Sequence, residues 1–289
     1  WPFIPVMKVS QLILLDHFAD HCPGLFRKKL QVDPDIFDAI LAQISDHSIF
    51  SSASHNHQFP IAIQLVIFLN CAGYYGNVIL PEDVAQWARA SVGSVVNCTN
   101  CVMVAVLDQH DDFIQFPALE SQDAENARSY VEAHVCSEWQ NGFLAADGSA
   151  FGLYAKPGFH GETFFDHKSN YSLNCQLVTM PHNLLIVDYG LGLPGSVHDA
   201  YAFQLTWTAK DHEELLGDEH WTWADSAYPL ETWCVVPFKK PKGGHLTQDQ
   251  KTFNYHLSSV IFIFIFIFSI LHHAPYFRFV FVWNMHLLL

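Results

Sequence analysis

In the first 140 residues, apolar side chains recur at three-to-four spacing over residues 8–18, 33–45 and 59–71. That spacing puts an apolar stripe along one side of a helix. Asp33-Pro34 supplies an N-cap acid and a proline at the first helical position. Residues 81–90 and 94–107 are also predicted helical, with Ser91-Val92-Gly93 between them. Pro81-Glu82-Asp83 sets a proline and two acids in a first turn, where the helix dipole favours negative charge. The segment 1–140 is therefore expected to be all-α. The pair at about 81–107 has the layout of a helix-turn-helix, which ordinary bundle packing shares.

From residue 142 the period changes. Gly142-Phe143-Leu144-Ala145-Ala146 is a short apolar run that ends in Asp147-Gly148. Residues 171–180 alternate, Pro181-His182-Asn183 reads as a turn, and Leu184-Leu185-Ile186-Val187 follows. Three strands in quick succession predict an antiparallel meander. Turn-rich residues 190–195 come next, then a predicted helix over about 197–210. Trp221-Thr222-Trp223-Ala224 is a last short strand ending in Asp225. The expected fold is α/β: an RNase H-like mixed sheet with flanking helices, its fourth strand beside its first, preceded by the all-α region.

The last thirty residues differ again. Residues 261–268 are a strict Ile-Phe repeat, and Arg278 is the single charge from 260 to 289. T-rich DNA encodes such repeats, so this tail reads as translated non-coding sequence rather than as part of the 142–259 domain. A membrane anchor is the rival reading. The apolar run at 260–271 is short of the ~20 residues a spanning helix needs. The first residue is Trp rather than Met, which reads as a fragment or an incomplete gene product.

Composition narrows the function. Half of the 289 residues are hydrophobic, enough for a sizeable core and too many for a disordered chain. Seven scattered cysteines do not make a disulfide scaffold, and no signal peptide is recognisable at the start. Fourteen Lys and Arg against 29 Asp and Glu give a net charge of −15, the opposite of a simple nucleic-acid binder.

Asp147 and Asp225 each follow an apolar strand directly. If those strands are neighbours, both carboxylates leave the sheet at one end. Two carboxylates ~4 Å apart cannot both ionise cheaply without a cation, and oxygen-only ligands suit Mg²⁺ or Mn²⁺. Acids after strands are also common in turns of no function, so spacing alone leaves the question open.

The words around the two acids go further. Asp147-Gly148, then Lys168-Ser169-Asn170-Tyr171-Ser172-Leu173-Asn174, Pro194-Gly195-Ser196-Val197-His198-Asp199 and Ala224-Asp225-Ser226-Ala227-Tyr228-Pro229 occur in that order. Val236-Pro237-Phe238-Lys239 and Phe253-Asn254-Tyr255-His256 follow. Together they resemble the PIF/Harbinger-type transposases of the DDE superfamily endonucleases. Upstream, Gly73-Tyr74-Tyr75-Gly76-Asn77 through Val92-Gly93-Ser94-Val95 resembles that family's helix-turn-helix segment. The resemblance implies a metal-dependent DNA endonuclease that hydrolyses and transfers phosphodiester strands with two Mg²⁺ or Mn²⁺ ions held by two aspartates and a glutamate. Asp147 matches the first acid and Asp225 the second; Asp199 is family-typical and is expected beside the metal site, or else as a helix cap. Implied partners are DNA and a protein that targets it, with no small-molecule cofactor, no membrane and a nuclear or nucleo-cytoplasmic location.

One departure matters. The family's third acid is a Glu on a helix after the Asn-Tyr-His word, and here no Asp or Glu follows Asp249. The expectation is therefore an inactive form of the nuclease, with a catalytically dead DNA-binding or protein-interaction remnant as the alternative and a membrane-tethered protein as a third reading. Residues 142–259 hold seven Lys and no Arg against 13 acids. Lys239, Lys240 and Lys242 are their one basic run, and with Arg89 they are the candidate DNA contacts. Cys98 and Cys101, with His134 and Cys136, are a weaker candidate, for zinc.

Overall fold

The computed structural model describes residues 11–51, 58–73, 80–153 and 155–258. The Tyr74-Tyr75-Gly76-Asn77 word and the Ile-Phe tail lie outside them. The chain forms two compact units that divide between Asp111 and Asp112, within the single-turn helix α7 (His110–Phe113).

The first unit is helical. It contains α1 (Gln11–His21), α2 (Pro23–Leu30), α3 (Pro34–Ile44), α4 (Ile61–Gly73), α5 (Pro81–Ala88) and α6 (Val92–Leu107). Prolines occupy the first turns of α2, α3 and α5, where a missing N–H costs nothing. Helix α4 is apolar nearly all round and buried along most of its length, as a central helix must be. Its Leu65, Phe68 and Leu69 pack with Phe26, Leu30, Phe37, Ile44, Val102 and Met103. Helices α5 and α6 meet at a 98° bend. The turn is made by Arg89 in the left-handed conformation (φ 55°) and by Ser91, whose hydroxyl caps α6 by accepting from the Ser94 N–H at 3.0 Å.

The second unit carries the sheet. Strands β1 (Leu144–Gly152), β2 (Ser172–Thr179), β3 (Ile186–Pro194), β4 (Thr222–Ala224) and β5 (Cys234–Val235) lie in the order β3-β2-β1-β4-β5. The first three are antiparallel, while β4 runs parallel to β1 and β5 to β4. This mixed sheet with flanking helices places the fourth strand beside the first, and is compatible with a DDE nuclease fold. Helix α8 (Gln122–His134) packs Ala124 and Ala127 into the core on one face, with Leu144, Ala146, Val178 and Phe203. On the other face, Ala145 and Trp223 are covered by Trp139 and by Phe253 and Leu257 of a helix over 248–258.

Two local expectations are corrected. The stretch 197–210 is not one helix but α9 (Asp199–Ala202), a 3₁₀ turn at Phe203–Leu205 and α10 (Trp207–Lys210), followed by α11 (His212–Leu216). The break lies at Thr206, which is extended (ψ 151°). Buried Asp188 fixes the restart by accepting from the backbone N–H groups of Trp207 (3.2 Å) and Thr208 (2.6 Å). Strand β3 also runs on through 190–194, although its glycines read as a turn. A side chain at Gly190 would meet Thr206 Cγ2 at 3.2 Å and the Ala202 carbonyl at 3.3 Å. Gly192 (φ 106°) is the extra residue of a bulge, where pairing shifts from Cys175–Leu191 to Asn174–Leu193.

Candidate active site

The β1–β4 register decides where the two acids go. Ala146 is paired with Ala224 in the parallel ladder. Asp147 and Asp225 are the next residues on neighbouring strands that run the same way. Alternation assigns both positions to the Ala145–Trp223 face. Asp147 Oδ1 accepts from the Gly148 N–H at 2.8 Å. Asp225 Oδ1 accepts from the Ala227 N–H at 2.7 Å, closing a turn after β4. Each carboxylate thus spends one oxygen on the backbone and keeps Oδ2 for another partner.

Both carboxyls are held above their ordinary range. Burial pushes Asp147 up to about 7, and the Asp225 and Asp199 charges add to it, against the Gly148 N–H and the Lys168 charge. Burial likewise raises Asp225, helped by Asp199 and opposed by the Ala227 N–H, Lys239 and His198. Loss of water and like charge both favour the proton, so the pair carries negative charge that its surroundings do not balance. An oxygen-only set of that kind fits a hard divalent cation, and Asp147 and Asp225 are the residues that would hold it.

Asp199 reaches the site from the opposite face. His198 takes the cap of α9, its Nδ1 accepting from the Ala200 N–H at 3.2 Å, so capping is not the role of Asp199. Its Oδ1 instead accepts from Asn174 Nδ2 at 2.9 Å and from Gln176 Nε2 at 3.0 Å. It lies over Gly148: a Cβ there would stand 2.7 Å from Oδ1. With Asp199 on one face and the other two acids on the other, no three His, Cys, Asp or Glu side chains among the described residues are grouped to hold an ion. Cys98, Cys101, His134 and Cys136 form no such group either, and burial raises the thiols of Cys98, Cys101 and Cys136.

The residues expected to meet DNA are scattered. Lys239, Lys240 and Lys242 are exposed in the loop after β5, and Lys239 is near enough to Asp225 to stabilise its charge. Arg89 is in the helical unit, and α6 carries no Lys or Arg. Asn254 clamps the entry to that loop: its amide accepts from the Phe238 N–H at 2.8 Å and donates to the Phe238 carbonyl at 2.9 Å. Sequence reasoning gave no role to Asn174, Gln176 or Tyr228. The signal was present in β2, where Ser172, Asn174 and Gln176 alternate with Leu173, Cys175 and Leu177.

Comparison with known proteins finds a family match over the sheet. Residues 146–269 match the family model of the DDE superfamily endonucleases. The sheet-bearing stretch is similar to that family. Curated relatives named "Putative nuclease HARBI1" match as well: that of cattle is 24% identical over 175 residues, and those of rat and human are 22% identical over 174 and 175. Each alignment covers 60% of this chain and 48% of the relative, so the chain spans about half the length of the curated proteins it matches. No solved structure matches the chain. The family match begins at Ala146, one residue before Asp147, and takes in most of β1 and all of β2 to β5.

Proposed function

We propose that this chain is a transposase-derived nuclease whose Asp147–Asp225 pair works on DNA phosphodiester bonds with a divalent cation, Mg²⁺ or Mn²⁺. The observation that carries the reading is the Ala146–Ala224 register inside a DDE endonuclease domain, which sets Asp147, midway along β1, level with Asp225, just past the end of β4. A cation held by Asp147 and Asp225 would supply activation of a water or 3′-hydroxyl and stabilisation of the leaving oxygen. The chain's own part is orientation. The Gly148 and Ala227 N–H groups fix one oxygen of each carboxylate. Lys239, close enough to act on Asp225, and the exposed Lys240 and Lys242 of the same loop are for phosphate contact, and the α5–α6 pair with Arg89 is a second DNA contact of helix-turn-helix form. A DNA substrate goes with a nuclear location and a protein partner that supplies targeting.

Two carboxylates hold a cation with water filling its remaining positions, but they do not fix two ions for in-line displacement. Weak activity is therefore expected. Relaxation of supercoiled plasmid in Mn²⁺ or Mg²⁺ tests this. Nicking should be slight in the 289-residue chain and absent in D147N and D225N. Cleavage that survives both substitutions refutes the assignment. The place of Asp199 on the opposite face, which leaves no three-acid group among the described residues, favours a second reading, a catalytically dead DNA-binding or protein-interaction remnant. No nicking together with a retained DNA gel shift would select it.

A further inference from the structure

Strand β2 is buried along its whole length, yet Asn174 and Gln176 on one of its faces are polar. Buried polar groups are costly unless bonded, and these two form one connected network. The Tyr228 hydroxyl donates to Gln176 Oε1. Gln176 Nε2 donates to Asn174 Oδ1 at 2.7 Å and to Asp199 Oδ1 at 3.0 Å. Asn174 Nδ2 donates to Asp199 Oδ1 at 2.9 Å and to the Val197 carbonyl at 3.0 Å.

The orientation of the Gln176 amide follows from its neighbours. Asp199 has a carboxylate to be donated to, and Tyr228 has a hydroxyl proton to give. Turning the amide over would set its oxygen against the Asp199 carboxylate and its NH₂ against the hydroxyl. Tyr228 therefore fixes the sense of the Gln176 amide, and the amide holds Asp199 in the space over Gly148. That space exists because residue 148 has no side chain: a Cβ would also come within 2.9 Å of Gln176 Nε2. Tyr228 stands three residues after Asp225, and Gly148 follows Asp147, so the network ties the turn after β4 to the acid position of β1 by way of β2. Asn174, Gln176 and Tyr228 are almost fully buried, Asp199 is half-buried, and the Tyr228 ring is held edge-on to Phe203, centroids 5.0 Å apart.

We propose that Tyr228 is a positioning residue: acting through Gln176, it fixes the Asp199 carboxylate over Gly148 and thereby strengthens the hold of the Asp147–Asp225 pair on a divalent cation. Asp199 acts as a fixed negative charge beside the pair, not as part of a closed ligand set. A carboxylate locked in one rotamer contributes its field without losing rotamer freedom when the cation arrives. The cation half of the proposal rests on the nuclease reading; the Tyr228–Gln176–Asp199 relay does not.

A double-mutant cycle on the full chain separates the two. Wild type, Y228F, D199N and Y228F/D199N are compared by urea unfolding without metal and by Mn²⁺ binding, with Mn²⁺ alone as the probe. Y228F keeps the ring and its packing. It is expected to weaken Mn²⁺ binding roughly threefold to tenfold, the size of one net hydrogen bond. In the D199N background the same change should have no effect on Mn²⁺, and its effect on unfolding should shrink. Gln176→Met, which removes both the acceptor and the donor, should repeat the pattern and serves if Y228F does not fold. Strictly additive unfolding, or a Y228F chain that loses stability while binding Mn²⁺ like wild type, overturns the proposal. If the wild type binds no Mn²⁺, the cation reading falls and the unfolding cycle alone decides the relay: coupling upholds it and additivity overturns it.

Discussion

Replacing Asp147 by Asn should stabilise the metal-free protein, and the gain should grow with pH. Asp147 is lifted from 3.8 to about 7, first by burial and then by the Asp225 and Asp199 charges. A carboxyl with a raised folded pKa binds its proton more tightly in the folded than in the unfolded chain. Its contribution is therefore fully present below pH ~4 and is lost as pH rises through ~7. At 1.36 kcal/mol per unit, keeping this group in the folded chain costs about 4 kcal/mol at pH 8 and about 1.5–2 kcal/mol at pH 5. These are upper values, since local relaxation and water entry reduce the penalty. Asn is isosteric, uncharged throughout, and still offers an oxygen to the Gly148 N–H, 2.8 Å away in the wild type.

The assay is urea unfolding in EDTA at pH 5, 6, 7 and 8, followed by tryptophan fluorescence, since Trp139, Trp207, Trp221, Trp223 and Trp233 all lie in the sheet-bearing unit. D147N is expected to exceed wild type by about 2–4 kcal/mol at pH 8 and by about half that at pH 5. Millimolar Mn²⁺ at pH 8 should then raise wild type and leave D147N nearly unmoved, because only a folded state that binds the ion gains by mass action. A D147N chain less stable than wild type at pH 8, or a difference that does not vary with pH, would refute the account of the buried charge.

Three further outcomes are expected. Gly148→Ala sets a methyl 2.7 Å from Asp199 Oδ1; it should cost about 1–3 kcal/mol in thermal or urea unfolding and lower Mn²⁺ affinity. Leu257→Ala empties the fully buried contact between the 248–258 helix and Ala145 and Trp223, and should cost about 2–5 kcal/mol, read by the same unfolding curves. Changing Lys239, Lys240 and Lys242 together to Ala should reduce the slope of log K against log salt for duplex DNA by up to about three, measured by fluorescence anisotropy, with unfolding unchanged.

The two acids were legible because each follows an apolar run that a buried strand explains, but only Asp225 stands past a strand end: Asp147-Gly148 is no turn, since pairing with β2 carries β1 on to Gly152. The tertiary details were not legible, for a common reason. The segment 197–210 has helical spacing, but Asp188, on another element, takes the N–H groups that restart the chain at Trp207. The glycines of 190–194 look like turn residues until Thr206 and Ala202 are seen packed against Gly190. In each case the deciding partner is distant in sequence, so local pattern pointed the wrong way.

The polar stripe on β2 shows the same effect at the site itself. Alternation on a strand ordinarily marks one face for water, and Asn174 and Gln176 would be assigned to that face. Here α9 and the turn after β4 close over it. The energetic consequence runs opposite to that of a solvated face: each amide must find partners inside the protein, and it finds them in Asp199 and Tyr228. The two faces of β1 then take different parts. One supplies two carboxylates whose burial favours a proton or a cation, and the other supplies a third carboxylate held rigidly by neutral amides. Neutral donors bond Asp199 without cancelling its charge, whereas a lysine or arginine in the same place would have balanced it. The site therefore keeps an electrostatic demand for a cation from outside the chain.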